Sequence, residues 1–166
     1  KVSGAQYRVI KVNGQQHSVE YCGITGKIRK ASIPAAVTVN GVTYKVTKIA
    51  SGAFKNQNKM TSVTIGKNIE TIGDNAFSGC SALKKIVIPA SVKKIGKKAF
   101  YKCKKLEKVK LGNNVQTIGN AAFQILDFAA ARDTLLGKCR ELLIIVLGNG
   151  NLTGEGFLPH TLNLCH

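Results

Sequence analysis

The sequence of 166 residues predicts an α/β fold: a right-handed solenoid of stacked coils with a parallel sheet on one face, an N-terminal β-hairpin cap and a C-terminal helical segment. Three observations predict it. The central region repeats with a period of 23 residues, each period contains one short stretch of alternating apolar and polar residues, and both ends depart from the repeat in composition. A chain of this length buries roughly two thirds of its surface in a single core, so one domain is expected, divided into residues 1–45, 46–123 and 124–166.

The register is carried by coincident anchors. Val46, Ile69, Val92 and Val115 recur at one spacing, as do Ile49, Ile72, Ile95 and Ile118, and the Ala-Phe pairs ending at Phe54, Phe77, Phe100 and Phe123. Within a period, Met60-x-x-Val63-x-Ile65, Leu83-x-x-Ile86-x-Ile88 and Leu106-x-x-Val109-x-Leu111 have the period of two expected of a half-buried strand. Gly73, Gly96 and Gly119 follow the Ile and permit a tight turn or a close approach of backbones, with Ala50 at that place in the first unit. One unit cannot bury its apolar side alone. Stacked neighbours share a continuous core, and successive Phe rings are expected to form a spine along it.

The pattern Ile69-x-x-Ile72-Gly73-x-x-Ala76-Phe77-x-x-Cys80-x-x-Leu83-x-x-Ile86-x-Ile88-Pro89 resembles the BspA-like leucine-rich repeats, and the resemblance covers about residues 24–123. It implies a leucine-rich-repeat solenoid belonging to a secreted or surface-attached bacterial protein associated with adhesion. The family has no shared catalytic site to carry over. Some positions depart from the pattern: Ser91 stands where Asn68 and Asn114 offer an Asn, Gly66 and Gly112 replace the strand-ending Pro, and Gln57 and Leu126 occupy the Cys position. An unbroken Asn ladder is therefore not expected, and the Cys is optional.

At the N-terminal end, Ile28-x-x-Ala31-x-Ile33-Pro34 reads as a degenerate strand of the same kind. It is preceded by a segment turning at Asn13-Gly14 and followed by an insertion turning at Asn40-Gly41. Asn-Gly between alternating residues is a strong hairpin signal, so residues 1–45 are read as two β-hairpins capping the coil. The chain opens at Lys1 rather than Met, which points to an upstream segment removed. After Phe123, continuing the register would bury Arg132. The Leu- and Ala-rich stretch from Gln124 to Leu147 reads instead as helix, serving as a cap over the open coil, as an oligomer contact, or as a tail foreign to the repeat. Its charged residues exclude a transmembrane helix.

The formal net charge is +17, with 22 basic and 4 acidic side chains in residues 1–123 against 3 and 4 in 124–166. Such a balance points to anionic partners. Eleven Lys lie between Lys84 and Lys110; a band of Lys with few interleaved aromatics reads first as a solvated face and second as a surface for polyanions. The sequence carries no nucleic-acid motif, and nucleic acid is not expected as a partner.

The positions that drift between units point outward, and they are the candidate ligand-binding residues: Ser62, Thr64, Lys85, Val87, Lys108 and Lys110. The expected partner is a host or matrix protein or an anionic glycan, and the expected role is a non-enzymatic interaction module at the bacterial surface or outside the cell. The alternative is a structural spacer with no ligand of its own. No catalytic residues, metal ligands or cofactors are expected, because His17, His160 and His166 lie outside the repeats and no Ser or Cys has a base placed by the register. Cys80 and Cys103, one period apart, are expected to be buried, unreactive thiols. Leu158 to Leu162 imitates a surface-anchoring signal without its final Gly, and its match is attributed to chance.

Overall fold

The computed structural model describes residues 4–13 and 16–123 together with the short strand 152–153. The expected C-terminal helical segment lies outside the described residues. The described residues hold strands, turns and bends but no helix, so among them the fold is strand-rich with parallel ladders, and the helical part of the expected α/β class falls on the C-terminal segment.

Two strands, not one, arise from each coil. The alternating stretches form β3 (Lys30–Ile33), β6 (Ser62–Ile65), β8 (Lys85–Val87) and β10 (Lys108–Lys110), with parallel pairing of β3 to β6 and β8 to β10. A second parallel ladder follows the Ile-Gly anchors: β5 (Val42–Ile49), β7 (Thr71–Ile72), β9 (Lys94–Ile95) and β11 (Thr117–Ile118), with Ile49, Ile72, Ile95 and Ile118 in one row. This ladder was not expected, because a two-residue strand shows no alternation. β12 (Leu152–Thr153) pairs antiparallel with β11.

At the N-terminal end, β1 (Ala5–Asn13) and β2 (Gln16–Ile24) form one antiparallel hairpin, and β4 (Ala36–Val39) forms the other with the first half of β5. The second turn uses Asn40 and Gly41, both at positive φ (50° and 77°), as a primed hairpin turn requires. β2 pairs in parallel with β5, which joins the hairpin to the solenoid. Glu20 of β2 is buried, and its carboxylate is held by Arg8 of β1 and by Lys48 of β5, whose Nζ lies 3.2 Å from Oε2.

Between the ladders lies one core. Phe54, Phe77, Phe100 and Phe123 stack nearly parallel, with centroids 5.0, 5.1 and 4.9 Å apart and interplanar angles of 3–4°. Tyr21 extends the spine into the hairpin, 5.2 Å from Phe54. The centroid spacing is close to the strand spacing of roughly 4.8 Å, so ring stacking and ladder hydrogen bonding share one pitch. Glycine is needed at the Ile-Gly position for closeness: a Cβ on Gly73 would lie 2.6 Å from the Ser51 nitrogen, and one on Gly119 would lie 2.5 Å from that of Lys97. Each coil thus rests backbone on backbone against the one before.

Cys80 and Cys103 are fully buried, and their thiols donate to the carbonyls of Phe54 (3.1 Å) and Phe77 (3.2 Å) in the preceding coil. Burial pushes both thiols up to about 12, which keeps them protonated and unreactive. Gln57 takes the Cys position in the first coil. It bonds back to the chain entering the repeats, donating from Nε2 to the Gly26 carbonyl (2.7 Å) and accepting from the Ile28 nitrogen (3.3 Å). At the would-be Asn position, Asn68 donates to the Ala35 carbonyl (3.0 Å), while Ser91 reaches the Ile69 carbonyl (2.7 Å) with a hydroxyl. The ladder is therefore mixed rather than built from Asn alone.

Candidate functional site

The outward positions of the first ladder form rows across the coils. Lys30 pairs with Ser62 and Ser32 with Thr64; one step on, Lys85 pairs with Lys108 and Val87 with Lys110. Thr64, Lys85, Val87, Lys108 and Lys110 are exposed and Ser62 is half-buried, while the alternate residues Ile65, Ile86, Ile88 and Val109 are buried. The six candidate residues therefore share one face, in two groups of neighbouring strands. Lys30 and Ser32, which continue the face onto β3, are missed when the candidates are drawn from the regular repeats; the degenerate strand from Ile28 to Ile33 carries their signal.

Two features set this face apart from a neutral scaffold surface. Lys85 and Lys108 stand directly opposite each other on adjacent parallel strands, an arrangement that like charges disfavour. Val87, 57% exposed, sits beside Lys110 as an apolar point among cations. Charge also divides unequally among coils with the same skeleton. Residues 46–68 carry four Lys and no acid; residues 69–91 carry two Lys, Glu70 and Asp74; residues 92–114 carry nine Lys and Glu107. All nine of those lysines are exposed.

A second concavity lies at the N-terminal end, a cleft of about 770 Å³ against the two hairpins, lined by Tyr7, Val9, Val19, Val37, Val39 and Tyr44 among others. Its lining contains no charged group, and its polar side chains are the hydroxyls of Tyr7, Thr38 and Tyr44. Among the described residues, no three His, Cys, Asp or Glu side chains converge to hold a metal ion. His17 packs edge-on against Tyr44, with centroids 5.3 Å apart. No helix among the described residues is long and apolar enough to cross a membrane.

Three solved structures share the architecture. The T. pallidum Leucine Rich Repeat protein is 24% identical with a TM-score of 0.64, over 75% of this chain and 55% of its own. A leucine rich cell surface protein from Faecalibacterium prausnitzii is 27% identical with a TM-score of 0.56, over 74% of this chain and 40% of its own. The pneumococcal vaccine antigen PcpA is 22% identical with a TM-score of 0.55, over 73% and 40% respectively. The chain thus spans about half the length of the first and two fifths of the others. A search of curated proteins finds no match. The sequence profile of the BspA type leucine rich repeat region matches residues 28–129 in six copies, more than half of the chain. With its 23-residue register, its stacked Phe spine and that match, the chain belongs to the BspA-type leucine-rich-repeat family.

Proposed function

We propose that this chain is a non-enzymatic interaction module of a bacterial surface or secreted protein, and that it binds a macromolecular partner, protein or glycan, through the strand face carrying Ser62, Thr64, Lys85, Val87, Lys108 and Lys110. The observation that carries this reading is the contrast within β8 and β10. Their inward residues are apolar, like those of every other unit, whereas their outward residues place Lys85 opposite Lys108 and Val87 beside Lys110. This outward row concentrates positive charge around one apolar side chain, a surface that complements an anionic partner. Leucine-rich-repeat regions are in general non-catalytic, and a similar solved structure is described as a cell surface protein, which supports a surface location.

The test is binding of the full chain to immobilised matrix proteins and to anionic glycans at low and physiological salt. Lys85→Ser, Lys108→Ser and Lys110→Ser introduced together should abolish the salt-sensitive part of any interaction found. Binding that is unaffected by the triple variant overturns the strand-face assignment. No binding at either salt concentration favours a spacer role instead.

A further inference from the structure

The turns that flank each Ala-Phe pair form a separate edge of the solenoid. At two positions on this edge the backbone is left-handed in coil after coil. The first is occupied by Gly52 (φ 69°), Asn75 (54°), Lys98 (53°) and Ala121 (55°); the second by Asn56 (62°), Gly79 (76°) and Lys102 (58°). Glycine and asparagine adopt this conformation at little cost, whereas a lysine is strained there. The third coil nevertheless has lysine at both positions. Between them stands Tyr101, at the place of Lys55 and Ser78, with the Lys98 and Lys102 ammonium groups 5.5 and 5.3 Å from its ring centroid. The segment is fixed by its backbone: Lys98 N donates to the Asn120 carbonyl (2.9 Å), Tyr101 N to that of Lys98 (3.1 Å), and the Tyr101 carbonyl accepts from Gly79 N (2.8 Å). Two like charges are thereby gathered on one ring at strained positions, with exposed Lys97, Lys104 and Lys105 beside them. The acid of the preceding coil at this edge, Asp74, is engaged by the Lys97 backbone nitrogen at 2.8 Å.

We propose that this edge of the third coil is a binding site for an acidic polysaccharide, with Lys98 and Lys102 taking a sulfate or carboxylate group and the Tyr101 ring packing on the adjoining sugar. Several observations favour this class of ligand. The lysines of the coil run from Lys94 on β9, across this edge, to Lys108 and Lys110 on β10, with Lys93 before β9 paired to Glu70, a belt that suits a chain-like polyanion better than a compact protein patch. The coil has no Arg for bidentate phosphate recognition, and its one aromatic beside the spine is short of the series of rings on which single-stranded nucleic acid stacks. It has no exposed large apolar side chain to enter a lipid surface. The Lys98, Tyr101 and Lys102 cluster is built from residues other than the strand-face candidates, and only the far end of the belt, Lys108 and Lys110, is shared with that face.

The second coil supplies conservative replacements. Lys98→Asn, Tyr101→Ser and Lys102→Gly together install the residues that the same fold already carries at Asn75, Ser78 and Gly79. The control, Lys55→Ser with Lys59→Ala, removes two lysines from the same edge of the first coil by the same copying. The probe is a fluorescent sulfated heparin hexasaccharide, with its desulfated form, a polyglutamate peptide and a single-stranded 20-mer DNA as competitors, titrated against the full chain at two salt concentrations. The triple variant should bind about tenfold or more weakly and the control within about twofold, and the two lysines should account for a fall of roughly 2 in the salt slope. Tyr101→Ser alone should weaken binding with the slope unchanged. The proposal is overturned if the hexasaccharide does not bind, if the control loses as much as the triple variant, or if the peptide or the DNA competes better than the sulfated sugar. The triple variant should melt no lower than the parent; a lower melting temperature with lost binding shifts the decision to Lys98→Asn/Lys102→Asn, which keeps Tyr101 and must lose the same salt slope.

Discussion

The second and third coils are the same object inside and different objects outside. Phe77 and Phe100, Cys80 and Cys103, Ile72 and Ile95, and Leu83 and Leu106 are buried in equivalent places, and each thiol bonds to the carbonyl of the Phe one coil back. Yet residues 69–91 balance two Lys with two acids, whereas residues 92–114 set nine Lys against one. The difference teaches that the core places no demand on the charge of the surface. A coil is specified by a handful of inward anchors and backbone-close glycines, so its remaining positions are free to be assigned to a partner.

The largest expected effects concern what the coils share. Phe77→Ala and Phe100→Ala each remove one ring from the middle of the stack and should destabilise the chain by about 3–5 kcal/mol in chemical denaturation. The two losses should agree despite the difference in charge; a marked asymmetry would mean that the coils are not equivalent inside. Next comes pH. Both buried thiols are pushed up to about 12 from an ordinary value near 9, so the folded state holds their protons more tightly than the unfolded chain. The stability they contribute is complete below pH about 9 and is lost as pH rises towards 12. The denaturation midpoint should therefore fall as pH rises above about 9, and Cys80→Ala with Cys103→Ala should flatten that fall. The smallest effects sharpen the outward contrast. Lys98→Gly and Lys102→Gly should each stabilise by about 1 kcal/mol through relief of left-handed strain, while Asn75→Gly should change stability by less than about 0.5 kcal/mol. Equal effects at Lys98 and Asn75 would remove the argument that lysine is held there against its conformational preference.

Much of the frame was legible in the sequence. The spacing of Ile49, Ile72, Ile95 and Ile118 and of the Ala-Phe pairs fixes which residues face inward, and alternation along Leu83 to Ile88 fixes the outward ones. The turn at Asn40-Gly41 is local chemistry and reads directly. Other features depend on contacts between distant segments. The ladder of β7 and β9 consists of two-residue strands too short to alternate, and Tyr21 heads the ring stack from outside the 23-residue register. Glu20 is buried because Arg8 and Lys48 come to it from two other strands. The left-handed lysines left no signal of their own, since Lys has no preference for positive φ; only their register with Gly52, Asn75, Asn56 and Gly79 reveals the strain. The strand-face residues were identifiable as a set, but the opposition of Lys85 and Lys108 required the pairing of β8 with β10.

The central claim is that the shared anchors fold the coil and the differing residues carry its function. It is tested most directly by rewriting the third coil's edge as the second's, with Lys98→Asn, Tyr101→Ser, Lys102→Gly, Lys104→Ser and Lys105→Ala in one chain, and recording thermal unfolding and sulfated-hexasaccharide binding on the same sample. The account predicts a melting temperature equal to or above the parent's and binding reduced by about tenfold or more. Unfolding at a markedly lower temperature, or binding retained at the parent's strength, would contradict it.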